Sequence, residues 1–425
     1  MSDFFQTGVV TTLHRLNRAG GGRLEEELQT FRHVSPIGLV LPALYCEFET
    51  PAMQGICDQL RETDYLKRIV VAIGKCDQYE YELARKFFEG FRTPVTPIWM
   101  EDPKILDLLE SLKEHDISIG EYGKGRACWL AFGNLLAAGD CEVIALHDCD
   151  ILNYEREMVA RLVYPVAHPN LSYEFAKAFY ARVTNRLHGR VTRLFYSPLV
   201  RAIQAMTPEI PYLRYMDSFR YALAGEFAMK ADLARVNRIP SDWGLEVGVL
   251  SEVYRNCSLG RICQVEVCDT YEHKHQELCA DDPASGLRRM TIDIARSLFR
   301  SLAQEGVVLG ADHFRALEVF YTRFAQDTIR NYYADATLNG LEFDLHEENQ
   351  AVGAFALSIR DAAESYMADP LGIPQISNWN RVVSAIPDFY ERLLRFTAGM
   401  ELIPDPAVRA GSARSRSIQR DPVSA

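Results

Sequence analysis

Cys141-Glu142-Val143-Ile144-Ala145-Leu146-His147-Asp148-Cys149-Asp150-Ile151 is a short apolar run that ends in two carboxylates. The run predicts a buried strand, and Asp148 and Asp150 stand where that strand would leave its sheet. That is where α/β proteins place their ligands. Side chains of an extended chain alternate between faces. Two carboxylates separated by one residue therefore share a face and can meet one divalent cation and the groups it carries. Asp-x-Asp alone is a weak signal; here a buried strand runs directly into it and Gly123-Lys124-Gly125 precedes it.

Working outward, strand-like and helix-like segments alternate. Ile37–Leu41 is an apolar run closed by Pro42, and residues 51–61 show helical spacing in Met53, Ile56, Cys57 and Leu60. Residues 68–73 read as a second buried strand, followed by a turn at Gly74-Lys75-Cys76-Asp77 and a helix to about Phe88. Val95–Trp99 suggests a third strand, and residues 103–115 and 123–138 two further helices. This alternation predicts an α/β fold with a mainly parallel sheet and helices on both faces. Between Tyr164 and Val267 it loosens into turn-rich segments around Gly189, Gly225 and Ser241–Glu246, ending in a strand-like 262–267. From about Gly286 the chain turns helical, with packing stripes such as Met290, Ile294, Leu298 and Leu302.

Four regions follow. Residues 1–35 read as a polar, helical extension broken by the hinge-like Gly20-Gly21-Gly22, which lacks the preceding strand and following Lys-Ser/Thr of a phosphate loop. Residues 36–285 form the α/β domain, in halves of about 36–150 and 151–285. Residues 286–403 form a helical C-terminal region, and 404–425, carrying Pro, Ser and four arginines without an apolar period, a disordered tail.

The 425 residues carry a formal net charge of −12, which argues against non-specific nucleic-acid binding and requires any anionic substrate to find a local basic pocket. No apolar run is long enough to span a membrane, and Met1-Ser2-Asp3-Phe4-Phe5 lacks the order of a signal peptide. A cytoplasmic protein without membrane partners is the expectation. Ten cysteines without a Cys-x-x-Cys pair read as free buried thiols.

Several residues carry chemistry. Lys124, between glycines that let backbone approach a ligand, offers a point charge for a phosphate or sugar hydroxyl. Asp77 follows the second strand and joins the same crevice or caps a helix. Gly189-Arg190-Val191-Thr192 brings guanidinium, hydroxyl and backbone donors together, which suits a phosphate, or equally a surface salt bridge. Glu246 could orient a sugar hydroxyl. His273-Lys274-His275 reads as a solvated loop, or as a ligand beside carboxylates.

The order Leu41-Pro42-Ala43-Leu44, Gly123-Lys124-Gly125, Asp148-Cys149-Asp150, Gly189-Arg190-Val191-Thr192, Gly225-Glu226-Phe227, Trp243-Gly244-Leu245-Glu246-Val247-Gly248 and His273 resembles the glucosyl-3-phosphoglycerate synthases. These are retaining glycosyltransferases of the GT-A fold, related to mannosylglycerate synthases. The resemblance spans about residues 36–280. It implies that 36–285 is a GT-A domain and that the activity is metal-dependent transfer of glucose from an NDP-glucose, UDP- or GDP-linked, to 3-phosphoglycerate. A mannosylglycerate or glucosylglycerate synthase using another NDP-sugar or free glycerate, and a non-catalytic nucleotide-sugar-binding protein, are the alternatives. Pro42, Ala43, Leu44, Glu47, Asp77, Lys124, Asp148, Cys149 and Leu223 would bind the donor. Gly189, Arg190, Val191, Thr192 and His275 would bind the acceptor. Asp150 and His273 would hold Mg²⁺ or Mn²⁺, with Glu246, Lys124 and Asp148 as the catalytic group. Where the family has Leu-Asn-Glu-Glu, this chain reads Leu44-Tyr45-Cys46-Glu47, so the carboxylate for the base is missing or shifted to Glu47. A homodimer is also implied.

Overall fold

Thr11–Leu13 (β1), Ile37–Leu44 (β2), Leu66–Gly74 (β3), Val95–Trp99 (β4), Val143–Leu146 (β5), Phe175–Ala181 (β6), Phe227–Lys230 (β7) and Ile262–Thr270 (β8) form one sheet. Its order is β1-β8-β6-β7-β5-β2-β3-β4, in a computed structural model that describes residues 6, 8–17, 21–272 and 286–404. Only β7 runs antiparallel to its neighbours β5 and β6, so the mainly parallel sheet expected from the alternation is present. β2, β3, β4, β5 and β8 fall on the apolar runs singled out in the sequence. β1, β6 and β7 do not.

Helices Gly21–Phe31 (α1), Pro51–Leu60 (α2), Gln78–Lys86 (α3), Pro103–Lys113 (α4), Lys124–Ala138 (α5) and Arg156–Ala167 (α6) cross between the early strands. Ser197–Met206 (α7), Pro211–Asp217 (α8), Ala231–Val236 (α9) and Leu245–Asn256 (α10) follow. Gly286–Gln304 (α11), Ala311–Asn339 (α12), Leu345–Ala368 (α13), Trp379–Ala385 (α14) and Phe389–Thr397 (α15) make the C-terminal third helical.

Because strand side chains alternate, each face of the sheet builds its own core. Val40, Ile144 and Leu146 point into a core shared with α4, α5 and the C-terminal helices. Leu39, Leu41, Val143 and Ala145 point into a second core shared with α1, α2, α3 and α6. The C-terminal helices therefore lie against the sheet domain. Trp129 of α5 stacks on Trp379 of α14 with ring centroids 4.0 Å apart, and Leu402 exchanges backbone hydrogen bonds with Val95 at the β4 edge.

Two sequence expectations are corrected. Pro42 does not close its strand, which continues to Leu44. β5 pairs with β2 only as far as Val40↔Leu146, so at Pro42 one edge of the strand is open, and a missing N–H is tolerated there. Residues 1–35 are also not uniformly helical: Thr11–Leu13 add a parallel edge strand to β8, and Gly21 and Gly22 lie in the first turn of α1 instead of a hinge. Residues 405–425, expected to be a disordered tail, lie outside the described residues. Among the described residues, no helix is long and apolar enough to cross a membrane.

Candidate active site

The chain runs from β2 to β3 and β4 on one side, then returns to place β5 on the other side of β2. This reversal leaves a crevice at the carboxyl ends of β2 and β5, the place where open α/β sheets bind ligands. Leu44–Glu47 issue from one strand and Asp148–Asp150 from the other. The alternation read from the sequence holds: Asp148 and Asp150 are partly exposed, whereas Cys149 and Ile151 are 2% and 0% exposed.

Lys124, the first residue of α5, ties the crevice together. Its Nζ lies 2.6 Å from Asp148 Oδ1 and 3.3 Å from Glu246 Oε1. Glu246 sits in the first turn of α10, which starts at Leu245. Burial alone would lower the Lys124 pKa, but the carboxylates of Asp148 and Glu246 outweigh it and hold the ammonium well above its ordinary value. The flanking glycines serve the fold here. A Cβ at Gly123 would stand 2.8 Å from Ser241 O, and one at Gly125 2.9 Å from Ser241 Cα, so they admit the Pro240–Ser241 backbone that leads into α10. Lys124 and Glu246 thereby come within reach of each other.

A second close approach involves Asp148 itself. A Cβ on Gly225 would collide with the Asp148 carboxylate, so only glycine lets the 223–225 turn seat against it. Lys177 of β6, fully buried, donates to Ala224 O and holds that turn from behind. The next residue, Glu226, accepts from Tyr180 Oη at 2.8 Å and Tyr271 Oη at 2.6 Å. Burial raises the Glu226 pKa, and the Asp148 charge adds to it. Glu47 Oε2 accepts from Leu44 N at 3.0 Å. Its pKa is raised to about 7, first by burial, with Asp150 and Asp148 contributing repulsion. Glu47 thus faces the paired aspartates.

Gly189, at φ +74°, turns the chain into a helical stretch that runs from Arg190 through a π turn at Val191–Tyr196 into α7. Gly189–Thr192 therefore form a helix N-terminus, whose leading amides have no partner within the helix and favour an anion. Arg190 itself is paired, through Nε with Glu348 at 2.7 Å and through Nη2 with Glu347 at 2.7 Å.

Other expected positions have settings of their own. Asp77 is the N-cap of α3 in a reciprocal capping box with Glu80, at 2.8 and 2.9 Å. Pro42 and Ala43 are buried in the sheet and Leu44 is exposed, so Leu44 is the one of the three whose side chain reaches the crevice opening. Cys149 is buried, and Leu223 lies in the turn held by Lys177. His273 and His275 lie outside the described residues.

Lys177, Tyr180, Tyr271 and the Glu347–Glu348 pair escape the motif reading, and Glu226 is in a quoted motif without a role assigned to it. A lysine inside the apolar run Phe175-Ala176-Lys177-Ala178-Phe179 is a signal of a buried polar group, but Glu348 has none, because its partners are remote in sequence. Among the described residues, no group of three or more His, Cys, Asp or Glu side chains is set to hold a metal ion. The partly exposed Asp148 and Asp150, with Glu47 close enough to feel their charge, still fit a hard divalent cation. Mg²⁺ commonly takes one or two carboxylates and fills its other places with water and substrate phosphates.

The chain is 46% identical over 395 residues to the glucosyl-3-phosphoglycerate synthase of Persephonella marina, covering 93% of this chain and 98% of that relative. It is 37% identical over 396 residues to the glucosyl-3-phosphoglycerate synthase of Methanococcoides burtonii, covering 92% and 96%. No family model matches. Among solved structures, the mannosyl-3-phosphoglycerate synthase from Rubrobacter xylanophilus aligns with a TM-score of 0.53 at 20% identity over 71% of this chain and 83% of that one. The glucosyl-3-phosphoglycerate synthase from Mycobacterium tuberculosis in complex with Mn²⁺, UDP-glucose and phosphoglyceric acid aligns with a TM-score of 0.51 at 22% identity over 72% and 90%. At these identities the two structures establish a shared fold.

Proposed function

Since the chain belongs to the glucosyl-3-phosphoglycerate synthase family of glycosyltransferases, we propose that it moves glucose from an NDP-glucose to 3-phosphoglycerate. The product keeps the configuration of the anomeric carbon. The observation that carries this reading is the Lys124 ammonium clamped between Asp148 and Glu246 at the switch point of the sheet. The M. tuberculosis relative binds Mn²⁺, UDP-glucose and phosphoglyceric acid together, which supports the same substrate classes here.

Residues leaving β2 and β5 would bind the donor, Glu47 and Asp148 toward the nucleoside and ribose, and Leu223 of the 223–225 turn would lie against the sugar. Asp150, with His273 beyond the described residues, would hold Mg²⁺ or Mn²⁺, which when bound neutralises charge on the diphosphate. As the sugar–phosphate bond breaks, electrons pass to the diphosphate oxygen, and the Lys124 charge is already in place to stabilise them. The acceptor hydroxyl attacks the anomeric carbon and its proton passes to the departing phosphate oxygen. Glu246, held by Lys124, orients a sugar or acceptor hydroxyl instead of taking that proton. The amides at Arg190–Thr192 and the Arg190 guanidinium would receive the acceptor's phosphate. We place the donor half at about 36–150 and the acceptor half at about 151–285.

Calorimetry with UDP-glucose and GDP-glucose, with and without Mn²⁺, followed by product detection against 3-phosphoglycerate and free glycerate, tests the reading. Metal-dependent binding of one donor and product only with the phosphorylated acceptor are expected. Donor binding without any product would support the non-catalytic alternative.

A further inference from the structure

Helix α13 reaches from the C-terminal third into the acceptor loop. Glu348, 4% exposed, accepts from Arg190 Nε at 2.7 Å and from Arg193 Nη1 at 3.0 Å. Arg193 is itself fixed: its Nε donates to His188 O at 2.8 Å and its guanidinium lies 4.8 Å from the Tyr332 ring centroid of α12. A buried carboxylate thus joins two arginines and the turn before Gly189. Glu347, one residue earlier, differs in kind. Its side chain is 48% exposed, and it touches only the outer edge of Arg190, through Nη2 at 2.7 Å.

The loop is also linked to the reacting end of the crevice. Gly189 lies against Tyr221 and Arg182, Arg182 Nη1 donates to Tyr221 Oη at 3.1 Å, and the Tyr221 ring packs edge-on against Tyr180, 5.1 Å away. Tyr180 donates to Glu226, beside the glycine seated on Asp148.

We propose that α13 is part of the acceptor site, with Glu348 as a positioning residue that aims Arg190, and Glu347 as an exchangeable anion that the acceptor's phosphate displaces. The inference rests on the acceptor reading given above. The physical distinction is burial. A carboxylate enclosed with two guanidinium partners is expensive to uncover and keeps its geometry, whereas a half-exposed ion pair contributes little and gives way to a doubly charged phosphate. The device favours phosphorylated acceptors, since free glycerate brings only a singly charged carboxylate, no stronger an anion than the Glu347 it would have to replace on Arg190.

Four proteins, the unaltered chain, Arg190→Ala, Glu348→Gln and Glu347→Gln, are compared by KM for 3-phosphoglycerate, kcat, and the acceptor Kd from calorimetry. Arg190→Ala is expected to raise KM and Kd by about tenfold or more. Glu348→Gln is expected to raise both by roughly fivefold with kcat at saturating acceptor changed less than about twofold, because it misaims the arginine without touching the reacting atoms. Glu347→Gln is expected to lower both by about two- to fivefold, the size of a surface ion pair no longer competing. If Arg190→Ala leaves KM unchanged, the acceptor reading itself fails. If it raises KM while Glu347→Gln raises it or leaves it alone, the exchange is wrong and the acceptor reading stands. Glu347 is a surface position, so this arm holds even where thermal melts show that Glu348→Gln has unfolded.

Discussion

Lys124 is where charge, fold and chemistry meet at the scale of a single residue. Removing its ammonium leaves Asp148 and Glu246 facing one another unneutralised and takes away a donor to developing charge. Such a donor typically accounts for about 2.7–4 kcal/mol of transition-state stabilisation. Lys124→Met is therefore expected to lower kcat by at least about a hundredfold, read by product formation at saturating substrates. His147, just before the paired aspartates, offers a separate test. Both its ring nitrogens are buried without a hydrogen-bond partner, and burial pushes its pKa down to about 3. Below about pH 6.5 the unfolded chain takes up a proton that the native chain refuses, so this stability is complete above that pH and lost as the pH falls toward the native value. Replacing His147 by Phe is expected to shrink the loss of unfolding free energy between about pH 7 and pH 5 by about 2 kcal/mol, measured by denaturant titration.

At the scale of elements, the strand ends make the site. β2 and β5 deliver Glu47 and Asp148–Asp150 because their apolar runs stop where the sheet reverses direction, and both runs are visible in the sequence. The 223–225 turn is as necessary as the strands, since Gly225 seats directly on Asp148. Gly225→Ala must push the turn or the carboxylate aside, and a displacement of about 1 Å in a reacting geometry can cost about a hundredfold. Turnover in Gly225→Ala is expected to fall by that order while circular dichroism still reports native secondary structure. The Gly225-Glu226-Phe227 motif is legible, but the reason for it is not, because Asp148, Lys177 and Tyr271 come to it from three distant segments. The same limit explains Gly123-Lys124-Gly125, whose glycines admit the backbone of Pro240–Ser241 and so answer to a partner more than a hundred residues downstream. Asp77 shows the converse: its local role as a helix cap, readable from Glu80 three residues on, is present in the structure.

At the scale of the whole molecule, the helical C-terminal third is bound to the sheet domain by packing and charge alike. Trp379 is fully buried on Trp129, and Glu348 holds Arg190. Trp379→Ala is expected to cost about 3–5 kcal/mol of stability, read from urea unfolding midpoints. The helical stripes announce packing faces in the sequence, yet nothing in their period says which face meets α5 or that a glutamate on α13 meets Arg190. Pairing between remote segments is a property of the folded chain. In the crevice that all these parts enclose, we propose that Lys124, Asp148, Asp150 and Glu246 serve glucosyl transfer to a phosphorylated acceptor. The most direct test is the yield of glucosyl-3-phosphoglycerate from NDP-glucose and 3-phosphoglycerate, with Mn²⁺ supplied or fully chelated. The account predicts product that disappears on chelation and returns with the metal; no product from any NDP-glucose, or undiminished yield after chelation, would contradict it.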